Sequence, residues 1–267
     1  MSRPPFYRVM AAIERLRLYP VKGLDGVELD EARIREGGTL EHDREFALFD
    51  ADDRIVNGKW TDRVHELSTE FDTGAARLRV ETPGGERESF DLGSADGRDA
   101  AAAWFSADFG GDLHMERDTT VGHVDRTDMG PSVLSTATLR EVASWFDELT
   151  VEGVRRRLRA NVEVSGVPAF WEDRFVGADA PAFETESVRF EGVTPCGRCV
   201  VPSRDPDTGE PLDGFRERFL ERRRATFPEW ADREAFDHYY SLMLIASVAE
   251  GRGETLRVGE TVDVVEH

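Results

Sequence analysis

Lysine and cysteine are almost missing from this chain. Its 267 residues contain only Lys22 and Lys59, so 32 of the 34 basic residues are arginine, and only Cys196 and Cys199. Two cysteines cannot build a disulfide framework, and an iron–sulfur cluster typically needs about four thiolates. With no second cysteine pair and no H-x-x-x-H spacing, a closed zinc site is disfavoured as well. Long apolar runs are also absent. The opening MSRPPFYRVMAAIERLRLYP lacks the uninterrupted stretch of a signal peptide, and SLMLIASVA near residue 245 is far shorter than the roughly 20 residues that cross a bilayer. A cytoplasmic location is the resulting expectation. No glycine-rich flavin or nicotinamide fingerprint is present.

Positive charge is scarce in the balance too. Fifty-four acidic residues against 34 basic ones give a formal net charge of -20. Such a field repels phosphate backbones, which argues against a nucleic-acid partner, and it suits a halophilic acidic protein kept soluble in a salty cytoplasm where screening is strong. Against that background the two lysines stand out, each beside a glycine, in YPVKG (19–23) and VNGKW (56–60). With 39% hydrophobic residues the chain can close one large or two intimate domains.

From Glu14 to about Leu92 short alternating runs dominate: RLRLYPV, VELDEARI, EFALFD, HELSTEFD, RLRVE and ESFDL, divided by Gly, Asp and Pro clusters such as PGGER. Period-two alternation between turn signals predicts antiparallel strands of a small sandwich or barrel. DAAAAWFSA (99–107) predicts a short helix ended by Gly110 and Gly111. Leu139, Val142, Ala143, Phe146 and Leu149 predict a longer one over 136–149, with Ser135 or a Thr138/Glu141 box as its cap. FRERFLERRRATF (215–227) predicts a third helix with Phe215, Phe219 and Leu220 inward, and SVRFEGV, YYSLMLIASV and ETVDVVEH read as strands. The fold class is therefore mixed α+β, mainly β: a barrel-like unit over 1–98 packed on a second β-rich unit with a few helices over 99–267.

The chemistry concentrates in TPCGRCVVPSRDPDTGE (194–210). A redox C-x-x-C pair sits at a helix N-terminus, whereas Val200, Val201 and Pro202 predict an extended segment, which weakens that reading. A single thiolate at Cys199, favoured by Arg198 and Arg204, would be a soft ligand for a heavy transition metal. A small buried hydrophobe is the bland alternative. DPDTGE is a turn able to bring Cys199 and Arg204 to one pocket. Lys22, open to a ligand through Gly23, is a candidate for the same pocket, as are Arg44 at a strand entry, and Arg159 and Asn161 on one face of an extended segment.

Four motifs taken together, YPVKG-x-x-G-V, HDREFALFD, RANVEVSG and PCGRC followed five residues later by DPDTGE, resemble the MOSC-domain proteins. Within them the chain is similar to the group with an N-terminal β-barrel extension, which includes the mitochondrial amidoxime-reducing component, over about Leu16 to Val265. The resemblance implies a molybdenum cofactor, a pterin dithiolene holding the metal, seated between two β-rich units. It implies that Cys199 is the metal thiolate and Cys196 is not. Lys22, Arg44, Arg159, Asn161 and Arg198 then hold the pterin and its phosphate, with Gly23, Lys59, Gly197 and Tyr239 as further contacts. Three departures accompany it: Gly23 where a hydroxyl residue is common, Gly197 where serine is usual, and Met129-Gly130 in place of Thr-Ser. The function implied is reduction of N-hydroxylated or N-oxygenated small molecules, with electrons from a separate cytochrome- or ferredoxin-type donor. A cofactor carrier, a persulfide sulfur-transfer protein and a non-catalytic β-protein are the alternatives.

Overall fold

The computed structural model describes residues 10–126 and 129–266. Its first part supplies β1 (Ala12–Leu18), β2 (Val27–Leu29), β3 (Glu31–Arg33), β4 (Phe46–Phe49), β5 (Ser68–Asp72), β6 (Arg77–Glu81), β7 (Arg87–Asp91), α1 (Ala95–Phe109) and β8 (His114–Arg117). Its second part supplies β9 (Ser132–Ser135), α2 (Thr136–Ala143), α3 (Val151–Leu158), β10 (Val162–Ser165), β11 (Ala182–Glu184), β12 (Arg189–Gly197), α4 (Phe215–Ala225), β13 (Ser241–Glu250), β14 (Thr255–Arg257) and β15 (Asp263–Val265). The class is mixed α+β and mainly β, as the alternation of the sequence implies. No helix among the described residues is long and apolar enough to cross a membrane.

An eight-stranded sheet runs β15-β11-β12-β13-β9-β10-β1-β2. β1 therefore belongs to the sheet of the second part. Ile13, Leu16 and Leu18 are buried on one side of it, Ile13 and Leu16 being separated by an irregularity in the pairing with β10. They join Val133, Val162, Val164, Phe183 and Phe190 in a core that one short strand could not close alone. Beyond β1 the chain crosses to the other unit. Lys22 N–H donates to Phe46 O at 2.8 Å and Arg44 N–H to Tyr19 O at 2.9 Å, which locks YPVKG against the start of β4.

β4 pairs with β8, and β5, β6 and β7 form a meander. Phe46, Phe71, Leu78, Val80 and Phe90 close a second core with Ala101 and Phe105 of α1 and Met115 of β8. α1 covers the meander, burying Ala101, Ala102 and Phe105 against it.

The helix expected over 136–149 is shorter, α2 ending at Ala143, and α3 follows it outside the expected range. Ser135 Oγ accepts from Thr138 N–H at 3.0 Å and caps α2, which ends at Ala143. Trp145 and Phe146 follow the end of α2 and both enter the core, where Phe146 stacks on Phe215 at 4.8 Å. α3 is capped by Thr150, whose Oγ1 accepts from Gly153 N–H at 3.0 Å, and buries Val154 and Leu158. α4 buries Phe215 and Phe219 as expected. It also buries Arg223, whose guanidinium pairs with Asp173 and lies 4.4 Å from the Phe170 ring centre.

Candidate functional site

A cavity of about 520 Å³ opens between the two units. The first unit lends it Lys22, Gly23, Arg44 and Lys59. The second lends Arg159, Asn161, Gly197, Arg198 and Cys199. These nine sequence candidates come from segments up to 177 residues apart, Lys22 to Cys199. Tyr239 is not among the lining residues. Its ring lies 5.7 Å from that of Phe227, with the guanidinium groups of Arg233 and Arg224 at 4.2 and 5.5 Å. As the chain straightens into β13, neighbouring side chains point to opposite sides. It is Tyr240 that turns inward and donates from its hydroxyl to Cys199 O at 3.3 Å.

The cysteine segment is shaped by β12 and its partner. Thr194 pairs with Ile245 and Pro195 with Leu244, yet Gly197 pairs with Ser241, so β13 bulges opposite Cys196. Met243 in that bulge has φ 74, a left-handed conformation that costs a non-glycine residue energy and recurs at functional sites. The bulge brings Met243 Sδ to 3.8 Å from Arg198 Nη1, on the cavity wall. Arg198 does not turn to Cys199: Nη1 donates to Cys196 Sγ at 3.2 Å and Nη2 to Leu158 O at 3.1 Å. Both cysteines are free and half-buried, and the Cys199 thiol has no hydrogen-bond partner among the described residues. After it, Val201–Ser203 form a 3-10 turn rather than the extended segment expected. Pro202 accounts for this, since its fixed φ suits a first helical turn and its missing N–H costs nothing there.

Two of the cations hold backbone conformations that their sequence context hides. Arg159 ends α3 in the left-handed region at φ 61, where an extended segment was expected, and its guanidinium lies 4.0 Å over the ring of Tyr19. No carboxylate among the described residues lies within ion-pair reach of it. Burial lowers its pKa, and the nearby Arg44 adds to that. Arg44 is left-handed too, at φ 50, and sits just before β4 rather than in it. Burial would lower its pKa, but the adjacent Asp43, with Tyr19 and Asp125, together raise it.

Lys22 is only 12% exposed at its side chain and donates from Nζ to His123 O and Asp125 Oδ1, both at 2.7 Å. Burial depresses its pKa while Asp125 works against the depression. Asn161 is committed to the fold: Oδ1 accepts from Ser132 N–H and Oγ–H, and Nδ2 donates to Arg17 O, tying β9 to β1. Lys59 is exposed at the rim. Gly23 has φ +100, and an added Cβ would crowd Asn57 at 3.2 Å. A Cβ on Gly197 would meet nothing closer than His238 at 3.5 Å, so the missing hydroxyl there is a matter of sequence and not of space.

Sequence reasoning missed His65, which lines the same cavity. Burial, helped by Arg159 and Arg204, holds its pKa below the usual imidazole value. The signal was in VNGKW. A Cβ on Gly58 would stand 2.7 Å from His65 Nε2, so that glycine admits the imidazole. No group of three or more His, Cys, Asp or Glu side chains among the described residues is arranged to hold a metal ion. A metal at Cys199 would have to bring most of its ligands with it.

The family model of the MOSC N-terminal beta barrel domain matches residues 10–151, and that of the MOSC domain matches residues 129–263. No curated protein matches the chain. MOSC domains are associated with molybdenum-cofactor-binding proteins. The chain belongs to the MOSC family, carrying a MOSC N-terminal beta barrel domain followed by a MOSC domain.

Proposed function

We propose that the chain binds a molybdenum cofactor in the 520 Å³ cavity, with Cys199 as the metal thiolate, and reduces N-hydroxylated or otherwise N-oxygenated small molecules. The observation that carries this reading is one thiol without a partner facing a cavity that also holds Lys22, Arg44, Lys59, Arg159 and Arg198, in a chain of net charge -20. A soft thiolate suits molybdenum, and arginine forks with lysine point charges suit a phosphate-bearing pterin. The residues fit the group. Arg159 faces the cavity without a carboxylate partner among the described residues, and Gly197 leaves backbone open to close approach.

When bound, the cofactor would supply a metal able to take oxygen from an N–O bond. The chain's own residues do the positioning. Arg198 fastens the cysteine loop to the end of α3 through Leu158 O, and its N–H donates to Tyr240 O at 2.8 Å, so the Cys199 backbone is held from two sides. Arg44 and Arg159 bracket Tyr19 and present positive charge to an anionic end. Lys22 would be free to leave Asp125 for that anion, and Asn161 ties β9 to β1 beneath it. Electrons come from a separate cytochrome- or ferredoxin-type donor, since two cysteines cannot hold a cluster. A cytoplasmic location belongs to the same proposal.

Turnover of an amidoxime by molybdenum-loaded protein with an artificial reductant tests the reading. Wild-type protein is expected to turn over and Cys199→Ala to be inactive. Molybdenum bound without turnover on any N-oxygenated substrate would make the chain a carrier. A persulfide on Cys199 without molybdenum, seen by intact mass, would make it a sulfur-transfer protein.

A further inference from the structure

α4 carries charge in places that do not serve the helix. Arg216 and Arg218 lie within its first four residues, at the positive end of the helix dipole, where anions and not cations are favoured. Arg218 and Arg222 stand four residues apart as like charges, as do Glu217 and Glu221, a spacing that destabilises a helix. The dipole accounts only for the arginines of the last turn. Arg216, Arg218, Arg222 and Arg224 are exposed, and so is Arg233 in the 3-10 turn beyond them. None of the five lies within ion-pair reach of a carboxylate among the described residues, although Glu217, Glu221 and Glu234 are close in sequence and the chain has 54 acidic residues to offer.

Aromatic rings hold three of these guanidinium groups. Arg233 lies 4.2 Å and Arg224 5.5 Å from the ring centre of Tyr239, and Arg216 lies 5.3 Å from that of Tyr240. A guanidinium laid over a ring is held in place while its N–H edge stays available to an acceptor. The loop between α4 and Arg233 leaves Trp230 52% exposed. Arginine, tyrosine and tryptophan together are the composition of binding hot spots. The patch also backs onto the cysteine loop: Tyr240, with Arg216 over its ring, donates from its hydroxyl to Cys199 O at 3.3 Å.

We propose that Arg216, Arg224 and Arg233, arranged around Tyr239 and Tyr240, form the docking surface for an electron-donor protein that presents a carboxylate-rich face. The donor's role rests on the proposed function; the place where it docks comes from this surface. Reductive cleavage of one N–O bond takes up two electrons and two protons and releases water, so a one-electron donor must dock and leave twice in each turnover. A small, charge-guided surface that exchanges quickly suits that task better than a deep apolar groove. Carboxylate and guanidinium pair in a bidentate way, which fixes the orientation of the docked donor. The negative field of the rest of the chain repels an acidic partner elsewhere and so confines it to this patch. A nucleic acid fits less well, because Glu217 and Glu221 interrupt the cationic track that a phosphate backbone needs.

An acidic ferredoxin is the probe, titrated by calorimetry into the cofactor-free full chain at about 0.15 M salt, where a Debye length of about 8 Å screens the net repulsion but not contact pairs. Saturable binding that weakens as salt is raised is expected. Arg224→Gln and Arg233→Gln should each weaken it about threefold to tenfold, and the double variant more. Arg87→Gln on the meander changes the net charge equally and should leave binding unchanged. In molybdenum-loaded protein the two variants should raise the KM for the ferredoxin and keep the wild-type rate with an artificial reductant, because neither arginine lines a cavity. No saturable binding overturns the proposal, as does binding that the double variant and Arg87→Gln change alike. Binding of a DNA duplex or of anionic vesicles through these arginines, with none of the ferredoxin, overturns it in favour of another polyanion. The proposed function is read separately, from turnover with the artificial reductant and no donor present, so the two failures are told apart.

Discussion

Replacing Glu172 by glutamine is expected to stabilise the protein at neutral pH and to flatten its dependence on pH. Glu172 is 1% exposed in the 3-10 turn Trp171–Phe175, where Oε2 accepts from Ser135 N–H at 3.3 Å and Oε1 has no partner. Burial, and then the neighbouring Asp173 carboxylate, push its pKa from 4.5 to about 8. Between those values the folded protein holds a proton that the unfolded chain releases, so this carboxyl makes wild-type stability fall as pH rises from about 4.5 to about 8. At 1.36 kcal/mol per pH unit, the burden at pH 7 is about 3 kcal/mol. A glutamine carries no such burden, but its carboxamide leaves an N–H without an acceptor at about 1–2 kcal/mol. The net expectation is a gain of about 1–2 kcal/mol at pH 7 and a loss of about 1–2 kcal/mol at pH 4.5, where the burden is gone and the carboxamide cost remains. Urea denaturation of both proteins at pH 4.5, 7 and 8.5 measures it. Parallel stability–pH curves, or a variant less stable than wild type at pH 8.5, would refute the reasoning.

Asp125→Asn removes the carboxylate that holds the Lys22 ammonium charged against burial, so the Lys22 pKa should fall further. With only two lysines in the chain, a side-chain NMR titration can follow Lys22 directly, and an unmoved midpoint would contradict the pairing. Gly197→Ser should change stability by no more than about 0.5 kcal/mol, because the added Cβ meets only His238 at 3.5 Å. A thermal midpoint lowered by more than a few degrees would mean that the segment around residue 197 is tighter than this contact implies.

Much of this architecture was legible in the sequence. Period-two alternation located the meander of β5 to β7, and Ser135 with its apolar i, i+3, i+7 pattern located the start of α2. What escaped depended on contacts distant in sequence. Nothing local assigns β1 to the sheet of the second part, since its alternation fits either unit until β10 provides the partner. α3 had a legible cap in Thr150 and an apolar stripe of Val151, Val154 and Leu158, but Gly153 and three successive arginines masked the period. The left-handed turns at Arg44 and Arg159 are imposed by packing around Tyr19, and no propensity foretells them. At the candidate site, the residues and the family resemblance that their motifs carry pointed to nine of the residues that line the cavity. The resemblance also chose Tyr239, which does not line the cavity, and it passed over His65, whose only mark is the glycine that makes room for it.

The central claim is that Cys199 anchors a molybdenum cofactor in the cavity between the two units. Metal analysis of wild-type protein and Cys199→Ala, each purified after expression in a cofactor-replete host, tests it most directly. The account predicts close to one molybdenum per wild-type chain and a large loss in the variant, with thermal stability of the cofactor-free proteins alike. Molybdenum absent from wild-type protein, or retained in full by Cys199→Ala, would contradict it.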